Sequence, residues 1–325
     1  MKRVRLAALL AAVAMAAVGC TAGQDVGEPR PPAGGPPMPK GAAEVSGLAA
    51  PSADTSCDPE KSLRPDGPPP APGDFPAGSA MAAIKARGKL IVGVDQNTYQ
   101  FGYRDAATGN LQGFDIDMAK EIAKAIFGRP DAIQFTVLTS ADRVPMVEKG
   151  EVDLVVQTMT INCERREKVE FSSVYYLARQ RVLVKNDGSI KDVAALGGKR
   201  VCASHGSTSI ARIVNLDPRP VGIGVASWTD CLVMLQQNQV DAVSTDDTIL
   251  AGLRAQDPFT TLLDGSLSEE PYGMAMSKDA PEFTRFVNAV LERLRTSGEW
   301  QRIYDRWLAE LLGPAPAPPP ADYRD

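Results

Sequence analysis

The sequence predicts an α/β protein with a mostly parallel sheet. Three observations carry this. Short apolar strands alternate with helices along the chain. Several strands are apolar on both faces, as in sheets covered by helices on each side. Proline is concentrated at the ends: 14 of 26 prolines fall between Pro29 and Pro76 and five between Pro314 and Pro320, with seven in the roughly 235 residues between. The folded region is therefore shorter than the 325-residue chain, about residues 78–312, which suits one or two domains. Composition narrows the function classes. One histidine excludes a multi-histidine metal site, and five cysteines with no close pair argue against a four-cysteine zinc site. A net charge of −5 argues against a nucleic-acid binder. No metal and no cofactor is expected.

Residues 1–20 read as an export signal. Lys2, Arg3 and Arg5 form a positive start, and residues 6–18 are wholly apolar but too few to span a bilayer. The run ends in Ala17-Val18-Gly19-Cys20, which resembles the lipobox of bacterial lipoproteins, with Ala17 where Leu is usual. That resemblance implies acylation of Cys20, which becomes the new first residue. The mature chain carries 32 basic against 40 acidic residues, so the lipid, not charge, must hold it on an anionic membrane. Residues 21–77 are rich in Pro, Gly, Ala and Ser and are expected to be a disordered tether. As flexible coil they would reach roughly 40 Å. Residues 313–325 are expected to be a second disordered strip.

With Cys20 lipidated, Cys57, Cys163, Cys202 and Cys231 remain. An even number in an exported chain suggests two disulfides, with three possible pairings. Cys202 and Cys231 share one half of the folded region and are paired here, which leaves Cys57 with Cys163. The alternative is four free buried thiols.

The folded region opens with a short helix, 80–86, stopped by Gly88, and a strand at 89–94. A helix at 114–127 follows, its apolar face made by Ile116, Ala119, Ile122, Ala123 and Ile126. Then come a strand at 133–137, a short helix at 141–149 with Ser140 as its cap, and a strand at 152–156. A second unit repeats the alternation. Strands are expected at 181–184, 200–203, 221–225 and 242–244. Helices are expected at 193–196, 207–215, 229–238 and 247–254. A strand at 272–276 precedes two closing helices, 281–296 and 299–312, whose aromatics recur at helical spacing and read as core.

Several segments together resemble a known family. They are Gly113-Phe114-Asp115-Ile116-Asp117-Met118, Gly150-Glu151-Val152-Asp153-Leu154, Thr158-Met159-Thr160-Ile161-Asn162-Cys163-Glu164-Arg165, Val169-Glu170-Phe171-Ser172 and Val240-Asp241-Ala242-Val243-Ser244-Thr245-Asp246. In this order they are similar to the polar amino-acid family of bacterial extracytoplasmic solute-binding proteins (family 3). The wording around Thr139-Ser140-Ala141-Asp142-Arg143 and Asp246-Asp247 is most similar to actinobacterial glutamine/glutamate-binding lipoproteins. The resemblance implies a two-lobed periplasmic-binding-protein fold (type II), with ligand in a cleft between lobes joined by two hinge strands. Lobe 1 would be 78–183 plus 275–312 and lobe 2 184–274, with crossings near 183–185 and 273–276.

The same resemblance assigns residues. Arg165 would take a ligand α-carboxylate with its two-pronged guanidinium, and Thr158 and Thr160 would complete the clamp. Asp246 would take the α-ammonium, at the end of a strand where α/β ligand sites collect. Gly206, Ser207 and Thr208 start a helix whose free N–H groups favour an anion. Arg143 resembles the arginine that acidic-ligand members place near the side-chain carboxylate. Asp95 stands where many of those members have lysine, which would favour an amide or help hold the ammonium. Asp95 and Asp246 against Arg143 and Arg165 balance formally, so the expected ligand is Glu or Asp, with Gln or Asn tolerated. His205 invites a Ser–His reading, but no nucleophile elbow and no orienting acid accompany it. A second function class on this fold is a periplasmic dehydratase of the cyclohexadienyl (prephenate/arogenate) type, which needs a general acid such as Asp95 or Asp246. A long tether and a lipobox favour a receptor: a monomer that presents an amino acid to a membrane ABC permease or a membrane sensor.

Overall fold

The computed structural model describes residues 37–50 and 57–324. The chain divides after Pro37, and all elements below lie in the unit that begins at Met38. The export signal, Cys20 and residues 21–36 lie outside the described residues.

In chain order the elements are β1 (Ala43–Val45), β2 (Ser62–Leu63), α1 (Ala80–Arg87), β3 (Leu90–Val94), β4 (Asn97–Thr98), β5 (Gly102–Arg104), β6 (Leu111–Gln112), α2 (Phe114–Phe127), β7 (Ile133–Val137), α3 (Arg143–Glu148), β8 (Leu154–Val155), α4 (Cys163–Arg166), β9 (Glu170–Phe171) and β10 (Tyr176–Lys185). After a single 3-10 turn, Ala194–Leu196, they continue as β11 (Arg200–Ser204), α5 (Thr208–Ile213), β12 (Val221–Val225), α6 (Trp228–Gln236), β13 (Ala242–Asp246), α7 (Asp247–Gln256), β14 (Thr260–Leu262), β15 (Ser268–Tyr272), β16 (Ala275–Met276), α8 (Pro281–Thr296), α9 (Glu299–Trp307), α10 (Ala309–Leu312) and β17 (Tyr323–Arg324).

Two sheets make two lobes. Lobe 1 is built on the order β7-β3-β8-β16-β9, with β7, β3 and β8 parallel and β16 antiparallel to its neighbours. Lobe 2 has the order β1-β12-β11-β13-β10-β14, with β12, β11 and β13 parallel. Alternation along the strands covers both faces of each sheet. In β3, Leu90, Val92 and Val94 join the core under α2 and α8, while Ile91 packs with Val152 and Phe171 on the other face. In lobe 2, Cys202, Ile223 and Val243 face one core, and Val201, Val182 and Ala242 face the other.

Two strands cross between the lobes. β10 pairs antiparallel with β15 from Tyr176↔Tyr272 to Gln180↔Ser268, then with β13 from Gln180↔Asp246 to Val184↔Ala242. Tyr176 and Ala178 pack in the lobe 1 core and Leu183 in the lobe 2 core. The crossings therefore begin several residues before the expected 183–185 and 273–276. The sequence hides this because the first half of β10, Tyr176-Leu177-Ala178-Arg179-Gln180, alternates buried with exposed positions without alternating apolar with polar residues. The expected strand at 272–276 is likewise two strands, interrupted at Gly273-Met274, and the last helix breaks at Leu308.

Part of the expected tether is not free chain. β1 adds antiparallel to the lobe 2 edge strand β12, and His205 Nε2 meets the Gly41 carbonyl at 3.1 Å. Residues 57–77 lie on lobe 1. Ser62 is fully buried, its hydroxyl donates to the Phe171 carbonyl, and Asn288 Nδ2 donates to Ser62 Oγ and to the Leu63 carbonyl. The tail is not free either: β17 pairs parallel with β2, and Arg295 Nε donates to the Pro319 carbonyl. The physical reason is edge satisfaction. A segment without an apolar periodicity of its own still orders where it caps a sheet edge or receives buried side-chain donors.

The structure pairs Cys57 with Cys163 and Cys202 with Cys231. The first bridge closes a separation of 106 residues and fastens the incoming segment to α4; the second closes 29 residues and joins β11 to α6. Loop-closure entropy for such lengths corresponds to about 3–5 kcal/mol each. Reduction should therefore lower the melting temperature by many degrees. Unreduced, denatured protein should expose none of these four thiols to an alkylating reagent, which intact mass checks.

Candidate functional site

Between the lobes, Ser140, Arg143, Thr158, Thr160 and Arg165 of lobe 1 face Ser207, Thr208, Ser209, Trp228, Thr245, Asp246 and Ile249 of lobe 2 around a cavity of only ≈ 10 Å³. A wider hollow of ≈ 690 Å³, lined in part by Pro68, Pro70, Phe75 and Phe286, gathers no such set of buried polar groups. The small volume follows from close approach of the lobes. A Cβ on Gly206, which has φ +72°, would stand 2.7 Å from Ala141 Cα, and one on Gly252 would stand 2.9 Å from the Tyr99 carbonyl oxygen. Glycine at these two positions lets lobe 2 backbone meet lobe 1 backbone.

Asp246 ends β13 and occupies the N-cap position of α7, yet its side chain makes no capping bond. Tyr272 Oη donates to Oδ2 at 2.6 Å, and Tyr272 Oη meets Thr248 Oγ1 at 2.9 Å. The tyrosine has one proton, so Thr248 must donate to it and the carboxylate is held from behind. The other oxygen, Oδ1, is buried without a hydrogen-bond partner. Burial pushes the Asp246 carboxyl pKa well above the usual range, and the nearby Glu270 carboxylate adds to the rise.

Arg165 is carried by α4, whose start is capped by Asn162 Oδ1 accepting from the Arg165 N–H at 2.8 Å. Its Nη1 donates to the Thr160 carbonyl of its own lobe, and Nη2 to the Gly206 carbonyl of the other lobe at 3.2 Å. Burial lowers its pKa, opposed by Glu270, Glu164 and Asp246. Arg143 is 3% exposed. Its Nε donates to Ser140 O, and Nη1 to the carbonyls of Gln157 and Thr158, at 3.0, 3.0 and 3.4 Å. Its Nη2 has no hydrogen bond with the described residues. Burial and the neighbouring Arg165 pull the Arg143 guanidinium down to about 9, still protonated at neutral pH.

Thr158 has φ +38°, an uncommon conformation for a β-branched residue. It is held there by Asp115, whose Oδ2 accepts from the Thr158 N–H at 2.9 Å and whose Oδ1 accepts from Tyr175 Oη at 2.8 Å. Burial pushes the Asp115 carboxyl up to about 7, with the hydrogen bonds from Tyr175 and Thr158 opposing the rise.

The structure brings together Arg143, Thr158, Thr160, Arg165, Ser207, Thr208 and Asp246, with Gly206 contributing its carbonyl. Asp95 does not line this cavity, though its charge acts on Arg143. That carboxylate accepts from the N–H groups of Gln96 and Asn97 and from Thr98 Oγ1, at 2.6, 3.0 and 2.6 Å, so its lone pairs hold the turn after β3. Ser207 Oγ caps α5 by accepting from the Ile210 N–H at 3.2 Å. Ser140 does not cap the helix beside it, since only its carbonyl is used, by Arg143; Asp142 instead ties to Thr139. Sequence reasoning missed Glu270, Tyr272, Trp228 and Thr245. Tyr272, in the expected strand at 272–276, and Thr245, beside Asp246 in the segment 240–246, had a readable signal. Among the described residues no group of His, Cys, Asp or Glu is placed to hold a metal ion, and no helix is long and apolar enough to cross a membrane.

Known proteins resemble this chain in sequence and in fold. The family model for bacterial extracellular solute-binding proteins, family 3, matches residues 90–310. The ABC transporter glutamine-binding protein GlnH of Bacillus subtilis (strain 168) is 38% identical over 231 residues, covering 71% of this chain and 85% of that protein. The glutamate/aspartate import solute-binding protein of Salmonella typhimurium is 29% identical over 249 residues, covering 73% and 82%. Among solved structures, the solute receptor for L-cysteine of Neisseria gonorrhoeae superposes with a TM-score of 0.69 at 28% identity, covering 72% of this chain and 95% of that one.

Two outcomes follow from the geometry. Asp115 has a raised folded-state pKa, so its contribution to stability is full below about 3.8 and is lost as pH rises through about 7. Asp95 and Asp246 act in the same direction. The melting temperature of the free protein should fall over that window, and Asp115→Asn should flatten the fall; a parallel curve for the variant would refute the assignment. Gly206→Ala should strain the backbone by about 1–2 kcal/mol and prop the lobes apart, visible as a larger radius of gyration in small-angle scattering.

Proposed function

The chain belongs to the bacterial extracellular solute-binding proteins of family 3, and on that premise we propose that its cleft captures L-glutamine, with L-glutamate as a weaker ligand. Family members are binding proteins rather than enzymes, and the dehydratase reading is set aside. One observation carries the proposal: Asp246 Oδ1 is a buried carboxylate oxygen with no donor. An unpaired buried charge is costly, and an α-ammonium is the donor that would complete it. Arg165 supplies the counterpart for the α-carboxylate, across the cavity from Asp246.

Two points support glutamine over glutamate. The free Nη2 of Arg143 suits an amide oxygen. Glutamine-binding GlnH is also the more similar of the two transport relatives described above.

We also propose that Cys20 carries a lipid and that the protein serves a membrane ABC permease or, alternatively, a membrane sensor. Residues 38–50 and 57–77 lie within the folded unit, so the stretch from Cys20 to it is 21–37.

Isothermal calorimetry of L-glutamine and L-glutamate tests the ligand assignment. Arg165→Ala and Asp246→Asn should each cost roughly 2–5 kcal/mol of glutamine affinity. Because Asp246 has a raised pKa and the ammonium favours its anion, binding should release protons, and the measured enthalpy should vary with the buffer's ionisation enthalpy. Near wild-type affinity in both variants would refute the proposal.

A further inference from the structure

Glu270 is a charged residue only 1% exposed. It stands on the crossing strand β15, and hydroxyls from both lobes reach it. Thr160 Oγ1 of lobe 1 donates to its Oε2 at 2.7 Å, and Thr208 Oγ1 of lobe 2 donates to the same oxygen at 3.0 Å. Its Oε1 accepts from Ser268 Oγ and faces Arg212 Nη2 at 3.7 Å. Both threonines also line the cavity.

A hydroxyl has one proton to donate, and an ionised carboxylate only accepts. Each threonine must therefore aim its proton at Glu270, and what remains for the cavity is lone pairs. We infer that Glu270 is a positioning residue that sets the polarity of the cleft: it turns Thr160 and Thr208 into acceptors. The inference rests on the amino-acid reading above and deepens it. The two hydroxyls accept from the ligand's ammonium or amide N–H groups and do not donate to its carboxylate, which is left to the arginines. This reverses the sequence expectation that the Thr160 hydroxyl completes a carboxylate clamp. The bridge also needs both lobes in place. Glu270 Oε2 bonds a hydroxyl from each, so it forms only with the cleft shut.

The test compares L-glutamine with glutaramic acid, which keeps the carboxylate and the amide but lacks the ammonium. Affinities are measured by calorimetry on the full chain. In Glu270→Gln the amide oxygen faces Arg212, so the amide nitrogen stands where Oε2 stood; it donates to Thr160 and Thr208 and frees their hydroxyl protons for a ligand carboxylate. Glutamine affinity should fall roughly tenfold or more, as for loss of a hydrogen bond to a charged group, while glutaramic acid should hold or tighten. The ratio of the two affinities then narrows. In a Thr160→Val, Thr208→Val background the same substitution should leave the ratio unchanged. Equal losses for both ligands in Glu270→Gln, with the ratio intact, would mean a purely structural role and overturn the inference. If circular dichroism shows that Glu270→Gln is unfolded, the single variants Thr160→Val and Thr208→Val carry the test: a narrowed ratio supports the inference and equal losses overturn it. Absence of glutamine binding by the wild-type protein removes the amino-acid reading and the inference with it, an outcome distinct from an unchanged ratio.

Discussion

The antiparallel pairing of the two crossing strands constrains everything around the cleft. β10 lies between β13 and β15, and its register sets Gln180 opposite both Asp246 and Ser268. That places Asp246 and Glu270 on the two strands flanking one crossing. Tyr272, at the end of β15, reaches back to Asp246 and also bridges to Thr160 in the lobe 1 segment that leads to Arg165. Met159 and Ile161 fasten the same segment to β15 through main-chain bonds to Gly273 and Pro271.

Two buried carboxylates near that pivot meet different fates. Glu270 accepts on both oxygens, from Thr160, Thr208 and Ser268, with Arg212 beside it. Asp246 is satisfied on one oxygen only. Ionised groups are retained in a protein interior when hydrogen bonds and counter-charges replace water. Glu270 meets that condition within the chain. Asp246 meets it only with an outside donor, and the proposed roles of the two residues rest on this difference.

Much of the scaffold was legible because its strands and helices carry strong apolar patterns. Phe114–Phe127, Ile133–Val137, Val221–Val225 and Pro281–Thr296 have the bounds that periodicity and end signals suggest. Arg165, Asp246, Thr158 and Thr160 came from the family resemblance, and the structure gathers them around one cavity. Glu270 was not legible. It sits in Ser268-Glu269-Glu270-Pro271, which reads as a solvated acidic stretch, and only pairing with β10 buries it. Asp95 is a different case. Its place at a strand end suits a ligand group, but the next three residues offer it local donors. The strands at Ala43–Val45, Ser62–Leu63 and Tyr323–Arg324 are too short to show periodicity, and their order comes from the edges and buried groups they meet.

A crystal structure with L-glutamine addresses the ligand geometry most directly. The ammonium nitrogen should lie within hydrogen-bond distance of Asp246 Oδ1, the carboxylate should rest on Arg165, and Thr160 and Thr208 Oγ1 should remain within hydrogen-bond distance of Glu270 Oε2. A bound amino acid that leaves Asp246 Oδ1 without a donor, or that sits outside the cleft, would contradict it.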